Sequence, residues 1–104
     1  MIEVLETIER WRAEGQRVAV ATVVGVENSA PRDPGAVMTV NERGDVAGSV
    51  SGGCVESAVY EQAQDAIASG RPRLVTYGIS DADAISVGLT CGGTIHVFIE
   101  RLDW

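Results

Sequence analysis

Apolar residues at Met1, Val4, Leu5, Ile8 and Trp11 recur at helical spacing, and Gly15 supplies the stop that follows such a stripe. Residues 17–24 (RVAVATVV) are apolar at both odd and even positions, the pattern of a central strand covered on both faces. Residues 25–35 carry two prolines and break the pattern, so they read as a long loop. Residues 36–40 then read as a strand, turned through Asn41-Glu42-Arg43-Gly44 into a second strand over 45–49. In this hairpin Gly44 takes the position that needs positive φ.

Residues 54–69 predict the second helix, with Val55, Ala58, Val59, Gln62, Ala63, Ala66 and Ile67 on one side. Small residues on that side let a helix lie close on a sheet, and Ser69-Gly70 with Pro72 ends it. Residues 73–77 predict a strand, and Ser80 with Asp83 resembles a capping box opening a short helix to about Val87. Residues 94–100 (TIHVFIE) alternate, with Ile95, Val97 and Ile99 on one face. The expected fold is α/β: a mixed sheet of about five strands packed against two main helices and a short helix. A chain of 104 residues suits one domain, and no G-x-G-x-x-G of a second, dinucleotide-binding unit follows any strand.

Composition narrows the function classes. No apolar run approaches the ~20 residues of a membrane span. The acidic start Met1-Ile2-Glu3-Val4-Leu5-Glu6 lacks the features of a signal peptide, so a cytoplasmic protein is expected. The formal charge of −7 disfavours nucleic acid, which is held mainly by basic patches. All 8 cations are arginine, which removes Schiff-base chemistry and the P-loop lysine. The 2 cysteines of a cytoplasmic chain read as free thiols or site residues rather than as a disulfide.

Those cysteines each adjoin a glycine pair. Ser51-Gly52-Gly53-Cys54 links a strand to a helix, where the glycines open the backbone to a ligand and the helix start favours an anion. Cys54, at or near that start, is a candidate nucleophile because the helix dipole stabilises a thiolate. Thr90-Cys91-Gly92-Gly93 is a similar open turn leading into the last strand. Either turn alone reads equally as a tight bend with a small buried thiol; two in so short a chain favour a shared site.

A third element is the loop Ser29-Ala30-Pro31-Arg32-Asp33-Pro34-Gly35, whose stiffened arginine suits bidentate phosphate or carboxylate recognition. A plain Arg32–Asp33 surface pair is the alternative. Glu56 is open to two readings, acid–base residue or stabiliser of the helix dipole. Asp81 and Asp83 read as capping residues. His96 and the cysteines are one ligand short of a closed zinc site and match no zinc module, so no metal site is expected.

Three stretches, NSAPRDPGAVM, GSVSGGCVE and VGLTCGGTIHVFIE, closely resemble the N-terminal domain of the XdhC/CoxI family, in family order and over about residues 18–100. These are accessory proteins for maturing molybdenum enzymes such as xanthine dehydrogenase and carbon monoxide dehydrogenase. The resemblance implies a chaperone that transiently binds the molybdenum cofactor (molybdopterin), assists its sulfuration by a cysteine desulfurase and delivers it to a molybdenum hydroxylase apo-enzyme. It assigns cofactor binding to Ser29, Pro31, Arg32, Gly35, Ser51, Gly52, Gly53, Cys54, Cys91, Gly92 and Gly93. Sulfur transfer through Cys54, or a non-catalytic module that assembles with a Rossmann-domain partner, are the competing roles. Asn28 departs from the family pattern, in which a glycine is common there. Because a five-stranded sheet in so small a domain leaves an edge or face needing cover, a homodimer is expected.

Overall fold

The computed structural model describes residues 2–27, 35–50, 55–78 and 94–102. In chain order they form α1 (Ile2–Ala13), β1 (Val18–Glu27), β2 (Val37–Asn41), β3 (Val46–Gly48), α2 (Glu56–Ser69), β4 (Arg73–Gly78) and β5 (Thr94–Arg101). The strands make one sheet in the order β3-β2-β1-β5-β4. Five strands and two main helices match the sequence pattern; the expected short helix near residues 80–87 lies outside the described residues.

The sense of pairing differs from the expectation. Every pairing in the sheet is antiparallel rather than mixed. The reason lies in the helical crossover seen among the described residues. A parallel pair needs a helix to carry the chain between neighbouring strands, but α2 carries it from β3 at one edge to β4 at the other. The strands it joins never touch.

Alternation along the central strand builds two cores. Ala19, Ala21 and Val23 of β1 face Val59, Ala63, Ala66 and Ile67 of α2, joined by Met38, Val40, Ile95, Val97 and Ile99. Val18 and Val20 face the other way, onto Val4, Ile8 and Trp11 of α1. The helices thus cover opposite faces, which is why residues 18–21 are buried without a break. Leu5, expected on the buried stripe, is 39% exposed, because α1 offers only the narrower seam of Val4, Ile8 and Trp11. In α2 the small residues do what their size allows: Ala63 and Ala66 are fully buried against the sheet.

β1 runs three residues further than the pattern suggested. Its extension through Glu27 pairs with the start of β5, after a register shift between Val23 and Gly25 that marks a bulge at Val24. A glycine inside a strand is unusual, and here the imidazole of His96 lies against the Gly25 backbone, where a side chain would crowd it.

The β2–β3 hairpin turns at Gly44, whose φ of 101° fulfils the expectation for that position. Buried Asn41 is satisfied on all sides: its Nδ2 donates to Asp45 Oδ2, its Oδ1 accepts from the Asp45 amide, and its carbonyl accepts from Gln64 Nε2. At the far end of α2, Gly70 adopts the left-handed cap and its amide donates to the Ala66 carbonyl. Arg101 of β5 donates from Nη1 to the Ile67 carbonyl, supplying a cation that the helix's own last turn lacks.

Candidate functional site

Antiparallel order has a direct consequence for the three motifs. β1, β3 and β4 all run toward one end of the sheet, and β2 and β5 both begin there. Segments 28–34, 51–54 and 79–93 therefore all attach at that end. Glu27 and Gly78 both pair with Thr94, so β1 and β4 stop level with the start of β5. The second tier of attachment lies lower, where Val37 pairs with Thr22 and Gly48 with Met38. The tiers are separated by the five steps from Thr22 to Glu27 on β1, matched by four on β5 across the bulge, roughly 13–16 Å of strand.

Among the expected site residues, Gly35 lies within the described part. It has φ 98°, its amide donates to the Val23 carbonyl at 2.7 Å, and a side chain there would meet nothing within 4 Å. Ser29, Pro31, Arg32, Ser51, Gly52, Gly53, Cys54, Cys91, Gly92 and Gly93 lie outside the described residues, as do Asp81 and Asp83.

Two side chains at this end hold those strand ends together. Glu56 opens α2, and its Oε2 accepts from Ser49 Oγ at 2.8 Å and from the Val50 amide at 3.0 Å. The helix start has Val55 at the N-cap with no side-chain capping bond. Dipole stabilisation is thus not the whole role of this carboxylate. Beside it a groove runs between α2 and the hairpin, lined by Met38, Val46, Glu56, Ser57, Tyr60 and Glu61.

His96 takes the opposite side of the sheet from α2. Its Nδ1 shares a hydrogen bond with Thr76 Oγ1 at 2.9 Å, the donor being set by the imidazole tautomer, and its Nε2 lies 3.8 Å from Glu27 Oε1. The ring spans three strands just below the ends of β1 and β4. No group of three or more His, Cys, Asp or Glu side chains converges among the described residues in a way that could hold a metal.

The Tyr77 hydroxyl is buried near the same end and has no hydrogen-bond partner among the described residues. Burial holds its pKa above the ordinary phenol value. Sequence reasoning passed over Tyr77, Thr76 and Glu27, because cross-strand partners twenty or more residues apart leave no local signal. Glu56 was visible as a first-turn carboxylate, but its partners were not.

Residues 11–78 match the profile of the XdhC and CoxI family. The chain is 37% identical over 100 residues to the molybdenum cofactor insertion chaperone PaoD of Escherichia coli, an overlap of 92% of this chain and 31% of that protein. It is 39% identical over 92 residues to a probable xanthine dehydrogenase subunit of Bacillus subtilis, covering 86% of this chain and 28% of that one. The fold superposes with a TM-score of 0.79 and 37% identity on the crystal structure of a xanthine dehydrogenase from Bacillus halodurans, over 95% of this chain and 30% of that chain. The chain thus spans about three tenths of the length of each of these relatives.

Proposed function

The chain belongs to the XdhC and CoxI family, and from that premise we propose that it binds the molybdenum cofactor and delivers it to a molybdenum hydroxylase apo-enzyme, acting as a chaperone. The observation that carries this reading is the common attachment of the three motif segments at one end of the sheet. The strand ends that carry the proline-stiffened arginine loop and the two Gly-Cys segments all lie at that end, which supports a shared site.

The donor set fits a molybdopterin. Arg32 and the amides of Gly52 and Gly53 suit its phosphate, and the Cys54 and Cys91 thiols suit a soft metal–dithiolene centre. Ser29, Pro31, Gly35, Ser51, Gly92 and Gly93 complete the proposed binding set. The Tyr77 hydroxyl, without a hydrogen-bond partner among the described residues, offers one more polar group at that end. The bound group supplies the metal and its dithiolene; the chain's own residues bind it, orient it and shield it until transfer. In the same proposal the protein works in the cytoplasm as a homodimer, and a cysteine desulfurase provides the sulfido ligand while the cofactor is held.

The decisive experiment is isolation of the protein from cells that make the cofactor, wild type beside Cys54→Ser, with bound pterin identified by mass. Wild type retains the pterin and the variant retains less. A wild-type protein that carries none, together with a deletion that leaves the partner molybdoenzyme fully active, refutes the reading. A second reading, sulfur transfer through Cys54, draws on the position of that thiol two residues before α2 begins. A thiol pKa near the unperturbed ~8.5 and no persulfide after exposure to sulfur donors exclude it.

A further inference from the structure

Among the described residues β3 has β2 on one side and no strand on the other, so backbone groups along its outer edge face away from the sheet. Such an edge accepts a further strand unless charge, proline or a bulge blunts it. Val46-Ala47-Gly48 carries neither charge nor proline, and its pairing with β2 runs through consecutive partners without a bulge. Beside this edge lies the groove between α2 and the hairpin, with a volume of about 360 Å³. Met38 forms its floor, and Val46, on the α2 side of the sheet opposite Val40, is 47% exposed at its outer lip. Ser57, Tyr60 and Glu61 line the helix side. The Tyr60 hydroxyl reaches the hairpin turn, 2.9 Å from where a Cβ on Gly44 would stand, so its ring walls that end.

Charge selects the occupant. Glu61 is exposed and has no ion-pair or hydrogen-bond partner among the described residues. The second carboxylate of the groove, Glu56, holds the Ser49 hydroxyl and the Val50 amide through Oε2. Arg43 of the hairpin turn is paired with Glu14 and Asp45. In a chain of formal charge −7, a second copy brings more negative charge to Glu61, whereas a basic segment brings the opposite sign.

We propose that the outer edge of β3 and the groove beside it dock an extended segment of a partner protein that carries apolar and basic side chains on one face. Its backbone pairs with β3, an apolar side chain covers Val46 above Met38, and a basic one meets Glu61. This is strand addition, in which main-chain bonds hold the segment and the groove selects its side chains. Side chains on one face recur at every second residue, so the recognised pattern is apolar-x-basic. All the residues involved belong to β2, β3 and α2, and the surface stands whether or not the chain carries a cofactor.

The test uses the full chain and short fluorescein-labelled peptides built on the repeat leucine-serine-arginine-serine, which sets leucine and arginine on one face of a strand. In one control glutamate replaces arginine; in the other serine replaces leucine. The parent peptide binds by fluorescence anisotropy, shifts the amide signals of residues 46–48 and 56–61, and slows hydrogen exchange along β3. Both controls bind at least about tenfold more weakly. Val46→Asp weakens the parent peptide at least about tenfold, because docking then buries a carboxylate. Glu61→Arg weakens it about fivefold, the weight of one exposed ion pair, and removes the weakening that added salt causes in wild type.

No binding of the parent peptide up to about 1 mM overturns the proposal, as does equal binding of the glutamate peptide or a Val46→Asp protein that binds like wild type. A wild type that dimerises by light scattering and loses the dimer in Val46→Asp overturns it too, since the occupant is then a second copy. Should Val46→Asp fail to fold, Glu61→Arg on the exposed side of α2 decides: unchanged affinity and unchanged salt dependence overturn the proposal. Pterin retention is not a readout here, so failure of the chaperone reading is seen separately.

Discussion

Gly48 closes β3 immediately before the Ser49–Val50 pair that Glu56 holds, and alanine there is predicted to be among the most damaging single-methyl additions in the protein. Its φ of 82° lies in the left-handed region, where a side chain costs about 1–2 kcal/mol. A Cβ at this position also comes within 2.2 Å of the Val37 carbonyl oxygen and 3.0 Å of Val4 Cγ1. The first of those atoms is backbone in a strand paired on both sides, so it cannot swing away. Relief requires β3 to lift from β2, which sacrifices the bond from the Ser49 amide to that same carbonyl, worth about 1 kcal/mol, and strains the packing of Val4 by a further ~1 kcal/mol. The reduced freedom of the unfolded chain returns roughly 0.5 kcal/mol. The net loss is about 3 kcal/mol, a sizeable part of the ~5–15 kcal/mol typical of a domain.

Gly15 is the internal control. Its φ is 79°, nearly the same, yet a Cβ there meets nothing within 4 Å. Gly15→Ala therefore isolates the backbone term and is expected to cost about 1 kcal/mol. Urea denaturation of wild type and both variants, analysed at a common m-value, gives the comparison directly. By heating, the gap of about 2 kcal/mol between the variants appears as roughly 8–16 °C in Tm. If the two variants lose the same stability within ~0.5 kcal/mol, the carbonyl contact does not hold β3 in place and the account of this strand end is wrong.

Two further outcomes follow from the same structure. Hydrogen bonds from the Asn41 side chain, and then from Arg43, hold the Asp45 carboxyl below its ordinary pKa; a carboxyl depressed on folding stabilises above its unfolded value and loses that effect as pH falls through the folded one. The stability difference between wild type and Asp45→Ala is thus expected to be complete at neutral pH and to fade below about pH 4, and a difference constant down to about pH 2 contradicts the assignment. Leu74 of the edge strand β4 is 63% exposed on the sheet face away from α2, and the proposed homodimer is expected to use this face. Leu74→Asp is expected to give a monomer by light scattering with stability changed by no more than about 0.5 kcal/mol; a wild type already monomeric at micromolar concentration, or a variant still dimeric, rules that interface out.

Residue order alone determined much of this protein. The 3.6-residue stripe Val4–Ile8–Trp11, the alternation of Ile95, Val97 and Ile99, and the glycines at 15, 44 and 70 are local signals, and the elements they mark appear in the fold. The Gly-Cys turns and the arginine loop were likewise legible as motifs, because their residue types carry their chemistry at short range. Other features had to wait for the tertiary structure, since they depend on distant partners. β1 continues through Gly25 only because β5 pairs with it across a bulge, and Leu5 is exposed only because α1 rolls onto Val4 and Trp11. The antiparallel sense of the sheet follows from α2 crossing between its two edges, a route that no local pattern encodes. That route also brings the attachments of all three motif segments to one end of the sheet and sets Glu56 against Ser49 and Val50. Chemistry is written in residue identity, whereas the meeting of separate segments is a property of strand direction, which is decided by packing over the whole chain.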